Sequence, residues 1–133
     1  MSKLYSKQDT RTVLLVDATA EELVELRKAM PGWLWLEAPE GWPLDVEADV
    51  LGQPFDAIIV FAHKDRDERT LAACKRICQE KAMVGRPLLA AGTRYQMHLA
   101  HEVRRLPGAE FVFNPIDENT LLDKIEEFER VRS

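Results

Sequence analysis

Thr12-Val-Leu-Leu-Val-Asp17, followed by Ala18-Thr-Ala-Glu-Glu-Leu-Val-Glu-Leu-Arg-Lys-Ala-Met30, holds one complete structural unit. Four consecutive apolar residues, Val13 to Val16, with no polar alternation predict a strand covered on both faces. Thr19 and Glu22 stand at capping-box spacing, the threonine able to cap a helix and the glutamate able to reach back to it. Leu23, Leu26 and Met30 recur at helical spacing, and Pro31-Gly32 ends the run. A strand that feeds through a capped turn into an amphipathic helix is the first half of a βαβ crossover.

The rest of the chain repeats that pattern. Trp33-Leu-Trp-Leu36 reads as a second strand with both faces covered, although a tryptophan exposed at its edge would mark a contact surface. Trp42-Pro43 opens a predicted short helix with Val46, Val50 and Leu51 inward, closed by Gly52 and Pro54. Ala57-Ile-Ile-Val-Phe61 is a third buried strand. The charged loop His63-Lys-Asp-Arg-Asp-Glu68 leads a long helix, with Asp65 and Asp67 as caps and Leu71, Cys74, Ile77 and Cys78 on one side. Gly85 stops that helix, and Arg86-Pro87 forbids its continuation. Leu88-Leu-Ala-Ala91 is a fourth strand, and Thr93-Arg-Tyr-Gln96 is a second capping-box candidate for a helix closing at Pro107-Gly108. Glu110-Phe-Val-Phe113 is a fifth strand, and Asp117 caps a last helix with Leu121, Leu122, Ile125 and Phe128 inward. Five strands alternating with five helices predict an α/β, doubly wound, five-stranded parallel sheet built from right-handed crossovers. The functional site of such a sheet lies beyond the carboxyl ends of the strands, here the loops starting at Asp17, Phe61, Gly92 and Asn114.

Composition narrows the function. The 133 residues fit one domain, read as a flexible arm over 1–11 and a single folded unit over 12–133. A net charge of −5 argues against a general nucleic-acid binder. No apolar run approaches a membrane span, and the polar N-terminus lacks a secretory signal, so the expected location is the cytoplasm. Neither a Walker loop nor G-x-G-x-x-G is present, and Asp17-Ala-Thr-Ala-Glu21 is too acidic to favour a flavin phosphate. No Ser–His–Asp or Cys–His arrangement emerges at the strand ends, so neither a cofactor nor an enzymatic activity is expected. Cys74 and Cys78 share a helical face and read as an inward-packed pair rather than a metal site, and His98 and His101 read as exposed or partner-facing.

In order and spacing, these pieces resemble the receiver domain of bacterial two-component response regulators, over about Thr12 to Val131. Thr12-Val-Leu-Leu-Val-Asp17 resembles the family's first strand, which ends in an acidic pair, and Glu37-Ala-Pro-Glu-Gly41 the segment after its second. Pro54-Phe-Asp-Ala-Ile-Ile-Val60 and Pro87-Leu-Leu-Ala-Ala91 resemble its third and fourth strands. Asn114-Pro-Ile-Asp-Glu-Asn-Thr-Leu-Leu122 resembles its Lys-Pro turn and last helix. The resemblance implies a flavodoxin-like (β/α)5 fold with strand order 2-1-3-4-5 and a signalling role in a phosphorelay. In the intact pattern an aspartate ending the third strand accepts a phosphoryl group. Magnesium on the acidic pair, a Thr or Ser after the fourth strand and a Lys after the fifth support it.

Carried over residue by residue, that machinery is mostly missing. Asp17 fills the first acidic position, but the second is Ala18 and the acceptor position is Phe61. The hydroxyl position is Gly92, unless a one-residue shift of the loop brings in Thr93, and the lysine position is Asn114. Phe111 falls where receivers carry the aromatic that rotates on activation. The expectation is a degenerate pseudo-receiver that binds no metal, except weakly at Asp17, and acts through protein–protein interaction. The alternatives are phosphorylation on Asp17, Asp65 or Asp67, or a flavodoxin-like small-ligand binder. Residues 86–106 carry four arginines against one acid, and 117–132 carry six acids against three bases. The fourth helix, fifth strand and fifth helix, with Arg94, Arg104, Arg105 and Phe111, are therefore the expected surface for a protein partner or a homodimer.

Overall fold

The computed structural model describes residues 11–83 and 85–132. Five parallel strands, β1 (Thr12–Val16), β2 (Leu34–Glu37), β3 (Ala57–Phe61), β4 (Leu88–Gly92) and β5 (Ala109–Phe113), form one sheet in the order β2-β1-β3-β4-β5. Four helices flank it: α1 (Ala20–Ala29), α2 (Asp67–Cys78), α3 (Met97–Arg104) and α4 (Glu118–Arg132). Every strand pair is parallel, with Val13 opposite Ala57 and Leu89 opposite Glu110. The doubly wound parallel sheet expected from the alternation is observed, with the flavodoxin-like strand order that the resemblance implies. Of the predicted arm, residues 1–10 lie outside the described residues, while the Arg11 carbonyl accepts from the Leu34 amide at the foot of β2. No described helix is long and apolar enough to cross a membrane.

Continuous apolar strands arise because both faces are covered. Val13, Leu15, Ala57, Ile59 and Phe61 point toward α1 and α4, with Leu23, Leu26, Leu121 and Ile125. Leu14, Val16, Ile58, Val60, Ala90 and Phe111 point the other way, toward Cys74 and Ile77 of α2 and Leu99 and Val103 of α3. The first capping box forms as spaced: Glu22 N–H donates to Thr19 Oγ1 at 3.1 Å, and Thr19 N–H donates to Glu22 Oε1 at 2.8 Å. Asp117 holds the first turn of α4 through the Thr120 amide at 2.7 Å, which keeps its carboxyl below the usual range.

The predicted helix at Trp42–Leu51 does not form, so the fourth and fifth expected helices are α3 and α4. Asp45 N–H reaches the Gly41 carbonyl at 2.7 Å, but this single helical bond is not propagated. Pro43 has no N–H to give, and Gly41 takes φ +86°, outside helical space. Segment 38–56 instead covers the sheet as irregular chain, burying Trp42, Val50, Leu51 and Phe55. Side chains from within the segment and from outside it pin it in place. Trp42 Nε1 donates to the Ala48 carbonyl at 3.2 Å, and Arg86 donates to the Leu51 carbonyl at 3.1 Å while stacking over Phe55. Arg69 pairs with Asp45 at 2.5 Å.

Three smaller expectations also need correcting. Neither Asp65 nor Asp67 caps α2, whose N-cap is Arg66, without a side-chain bond. Thr93 does not cap α3, which starts later, after Gln96. The strand over 33–36 is not covered on both faces as expected, and the exposed residue is not a tryptophan. Trp33 and Trp35 stack on the buried face at 5.8 Å, and Leu34 is the exposed residue at 63%.

Candidate functional site

The carboxyl ends of β1, β3, β4 and β5 meet at one edge of the sheet, where Asp17, Phe61, Gly92 and Asn114 stand. The backbone pairing that builds this edge runs from Ala62 N–H to the Ala91 carbonyl at 2.8 Å and from Asn114 N–H to the Gly92 carbonyl at 2.8 Å. At the end of β3, Phe61 is 1% exposed, its ring turned into the cluster of Leu15, Leu26, Ile116 and Leu121. A phenyl ring there offers neither an oxygen nucleophile nor a metal ligand.

Polar groups around Phe61 are committed to one another. Glu22, the capping-box residue, also accepts from Asn114 Nδ2 at 3.3 Å, so the residue at the lysine position is tied to α1. His63 Nε2 lies 2.6 Å from the Asp17 carbonyl oxygen and 4.0 Å from Glu22. A carbonyl oxygen only accepts, so Nε2 carries the hydrogen. Asp17 itself takes φ +61°, a left-handed conformation that turns its carbonyl toward this ring. Ala18, at the second acidic position, supplies nothing polar beyond its backbone. Among the described residues no group of three or more His, Cys, Asp or Glu side chains is arranged to hold a metal ion.

Two clefts flank this edge. One of about 390 Å³ runs between α1 and the β5–α4 turn, lined by Glu21, Glu25, Leu26, Phe61, Asn114 and Ile116. The other, of about 520 Å³, lies between the β3–α2 and β4–α3 loops, lined by Lys64, Asp65, Asp67, Thr93, Tyr95 and Gln96. Asp65 sits on the second cleft at φ +64°. Asp67 Oδ1 is engaged by Gln96 Nε2 at 2.8 Å, and Thr93 Oγ1 accepts from the Tyr95 amide at 3.2 Å. The sequence-predicted strand-end residues are thus brought together, but the groups that bond them, Glu22, His63 and Gln96, were not expected there. Glu22 and Gln96 carried a signal only as capping-box partners. His63, two residues past the end of β3, carried a signal only as part of a charged loop.

Arg94, in the loop before α3, and Arg104 and Arg105, at the end of α3, are exposed. Arg105 pairs with Glu102 at 3.5 Å. Phe111 corrects the expectation for this surface: it is 4% exposed, packed inward because its strand face is covered by α3. The aromatic presented outward is Phe113, edge-on to Phe111 at 6.0 Å, with Tyr95 at 90% exposure and Met97 nearby in sequence. Cys74 and Cys78 pack from α2 as free thiols. Burial, and secondarily Cys78, pushes Cys74 up to about 12, and burial raises Cys78 as well.

No protein-family model matches the chain, and no curated protein matches it. Solved structures do. A response regulator receiver domain from Clostridium thermocellum superposes with a TM-score of 0.61 at 16% identity, over 91% of this chain and 95% of that one. A bacteriophytochrome response regulator gives 0.63 at 16% identity, over 90% and 92%. A pilus assembly-related protein from Burkholderia pseudomallei gives 0.60 at 16% identity, over 97% and 96%. At this identity the shared property is the architecture: the chain has the fold of response-regulator receiver domains.

Proposed function

We propose that this chain is a receiver-like signalling module that acts by binding protein partners and does not depend on its own phosphorylation. The observation that carries the reading is Phe61, buried at the end of β3 where a receiver presents its acceptor aspartate. The absence of a carboxylate at Ala18 and of a cation at Asn114 supports it, because phosphoryl transfer relies on charge neutralisation by metal and cation. The partner surface is the α3–β5–α4 face, which carries exposed Arg94, Tyr95 and Met97 around the start of α3, Phe113 at the end of β5, and Arg104 and Arg105 at the far end of α3. A homodimer through this face would set the basic side of α3 against the acidic side of α4.

One observation favours a second reading. Asp65 lines the same cleft as Lys64 and Thr93, a carboxylate with a cation and a hydroxyl at hand. Intact-protein mass after incubation with acetyl phosphate and magnesium separates the two readings, with an ordinary receiver as positive control. The first expects no adduct from folded protein. A stoichiometric, base-labile phosphoryl adduct lost in Asp65→Asn would establish the second. For the surface, Arg104→Glu with Arg105→Glu should abolish self- or partner association in sedimentation velocity, and unchanged association would exclude this face.

A further inference from the structure

Gln96 stands immediately before α3 but gives that helix no side-chain cap. Its carboxamide is used at both ends elsewhere. Thr93 N–H donates to Oε1 at 2.9 Å, and Nε2 donates to Asp67 Oδ1 at 2.8 Å. The orientation is fixed by chemistry, since an amide N–H only donates and a carboxylate only accepts, so the two ends of the group are not interchangeable. Asp67 is the first residue of α2. One side chain therefore joins the β4–α3 loop to the start of the neighbouring helix, across the mouth of the 520 Å³ cleft.

Room for that side chain comes from Gly92. A Cβ at this position would lie 2.5 Å from Gln96 Oε1 and 2.8 Å from Phe111 Cζ, both closer than real contacts allow. The missing side chain at the end of β4 thus lets the carboxamide and the Phe111 ring occupy adjoining space.

We propose that Gln96 is a built-in clasp that holds the β4–α3 loop shut on α2, its carboxamide seated beside the Phe111 ring in the space that Gly92 leaves open, so that this edge of the sheet keeps one conformation with no ligand bound. The inference stands on this geometry and not on the signalling reading above.

Amide exchange and ring signals followed by NMR test it. Asp67→Ala removes the far acceptor without touching the Thr93–Gln96 bond, and Asp67→Asn keeps an acceptor oxygen. Asp67→Ala should speed exchange at the Thr93 amide about tenfold or more, the effect of losing one hydrogen bond to a charged acceptor, and shift the Phe111 ring signals. Asp67→Asn should match the parent, and protection in β1 and β3 should be unchanged throughout. Gln96→Glu still accepts from Thr93 but sets a second carboxylate against Asp67, so it should reproduce Asp67→Ala even if that variant folds poorly. Gly92→Ala should give the same signature, because the added methyl must displace Gln96 Oε1 or the Phe111 ring. Parent-like Thr93 exchange and Phe111 signals in Gln96→Glu and Gly92→Ala would overturn the clasp and leave the loop held by its own turn.

Discussion

Truncation of Phe61 tests whether the residue that ends β3 belongs to the core. The ring is 1% exposed and shares its cluster with Leu15, Leu26, Ile116 and Leu121. Phe→Ala at a buried site costs about 3–5 kcal/mol, the lost transfer energy plus a cavity term that depends on how far the surroundings collapse. The 390 Å³ cleft borders the ring, so water and the β5–α4 turn can fill part of the void, and the expected cost is the lower half of that range, about 3–4 kcal/mol. With a urea m-value of about 1.5 kcal/mol/M, the midpoint should fall by about 2 M or slightly more. Phe61→Leu, closer in volume, should lose less than about 1.5 kcal/mol. Phe61→Asp should destabilise at least as much as alanine, because it adds a carboxylate with no cation beside it. It should also remain unphosphorylated by acetyl phosphate, since Ala18 and Asn114 are unchanged. A loss below about 1.5 kcal/mol for Phe61→Ala would refute the reasoning: the ring would then be surface, and the acceptor position open to solvent chemistry.

Two further outcomes follow from the packing. Trp33 Nε1 donates to Glu118 Oε2 at 2.9 Å, whereas buried Trp35 Nε1 finds no acceptor among the described residues, so Trp33→Phe should cost about 1–2 kcal/mol more than Trp35→Phe in urea titrations. Equal costs would mean that the indole of Trp35 is hydrogen-bonded after all. Cys74 is pushed from 9.0 to about 12 by burial, and secondarily by Cys78, so the folded state keeps a proton that the unfolded state gives up. Stability should therefore be level below pH 9 and fall between about pH 9 and 12, by up to about 1.4 kcal/mol per pH unit, with the slope reduced in Cys74→Ala. An unchanged alkaline slope in that variant would assign the effect to other groups.

The strands and their partners were legible because their signal is local and redundant. Ala57–Phe61 is apolar throughout, as only a strand covered on both faces can be, and the bounds read from sequence are those observed. Thr19 and Glu22, and Asp117 at the start of α4, act within three residues of themselves, so spacing alone finds them. Segment 38–56 failed for the opposite reason. Val46, Val50 and Leu51 do fit a helical period, but two of the bonds that hold the segment come from Arg69 and Arg86, remote in sequence. Asp67 looked like a cap because acids favour helix starts, yet its oxygen is claimed by Gln96 from another loop. Phe111 looked like a surface aromatic because alternation does not say which face α3 covers. The candidate site divides in the same way. The identities at Asp17, Ala18, Phe61, Gly92 and Asn114 were readable, but the bonds closing around them required the fold.

Those bonds also bear on what can bind at the strand ends. In an open α/β sheet this edge is where ligands collect, because loop N–H groups and strand-end side chains are left without partners. Here Asn114 holds Glu22, His63 holds the Asp17 carbonyl, and Gln96 holds Asp67 and Thr93. An ion seated among Asp17, Phe61 and Asn114 must displace such bonds, whereas one in the cleft at Lys64 and Asp65 does not meet them. At about 1 kcal/mol net for each, displacing three of them weakens binding by about 3 kcal/mol, roughly a hundredfold. A protein docking on Tyr95, Met97, Phe113 and the α3 arginines breaks none of these strand-end bonds, and it covers apolar side chains that now face water. This balance supports the proposed recognition of the outer face over chemistry at the edge, as do Phe61, Ala18 and Asn114 at the positions where the resemblance implies an acceptor, a metal ligand and a lysine.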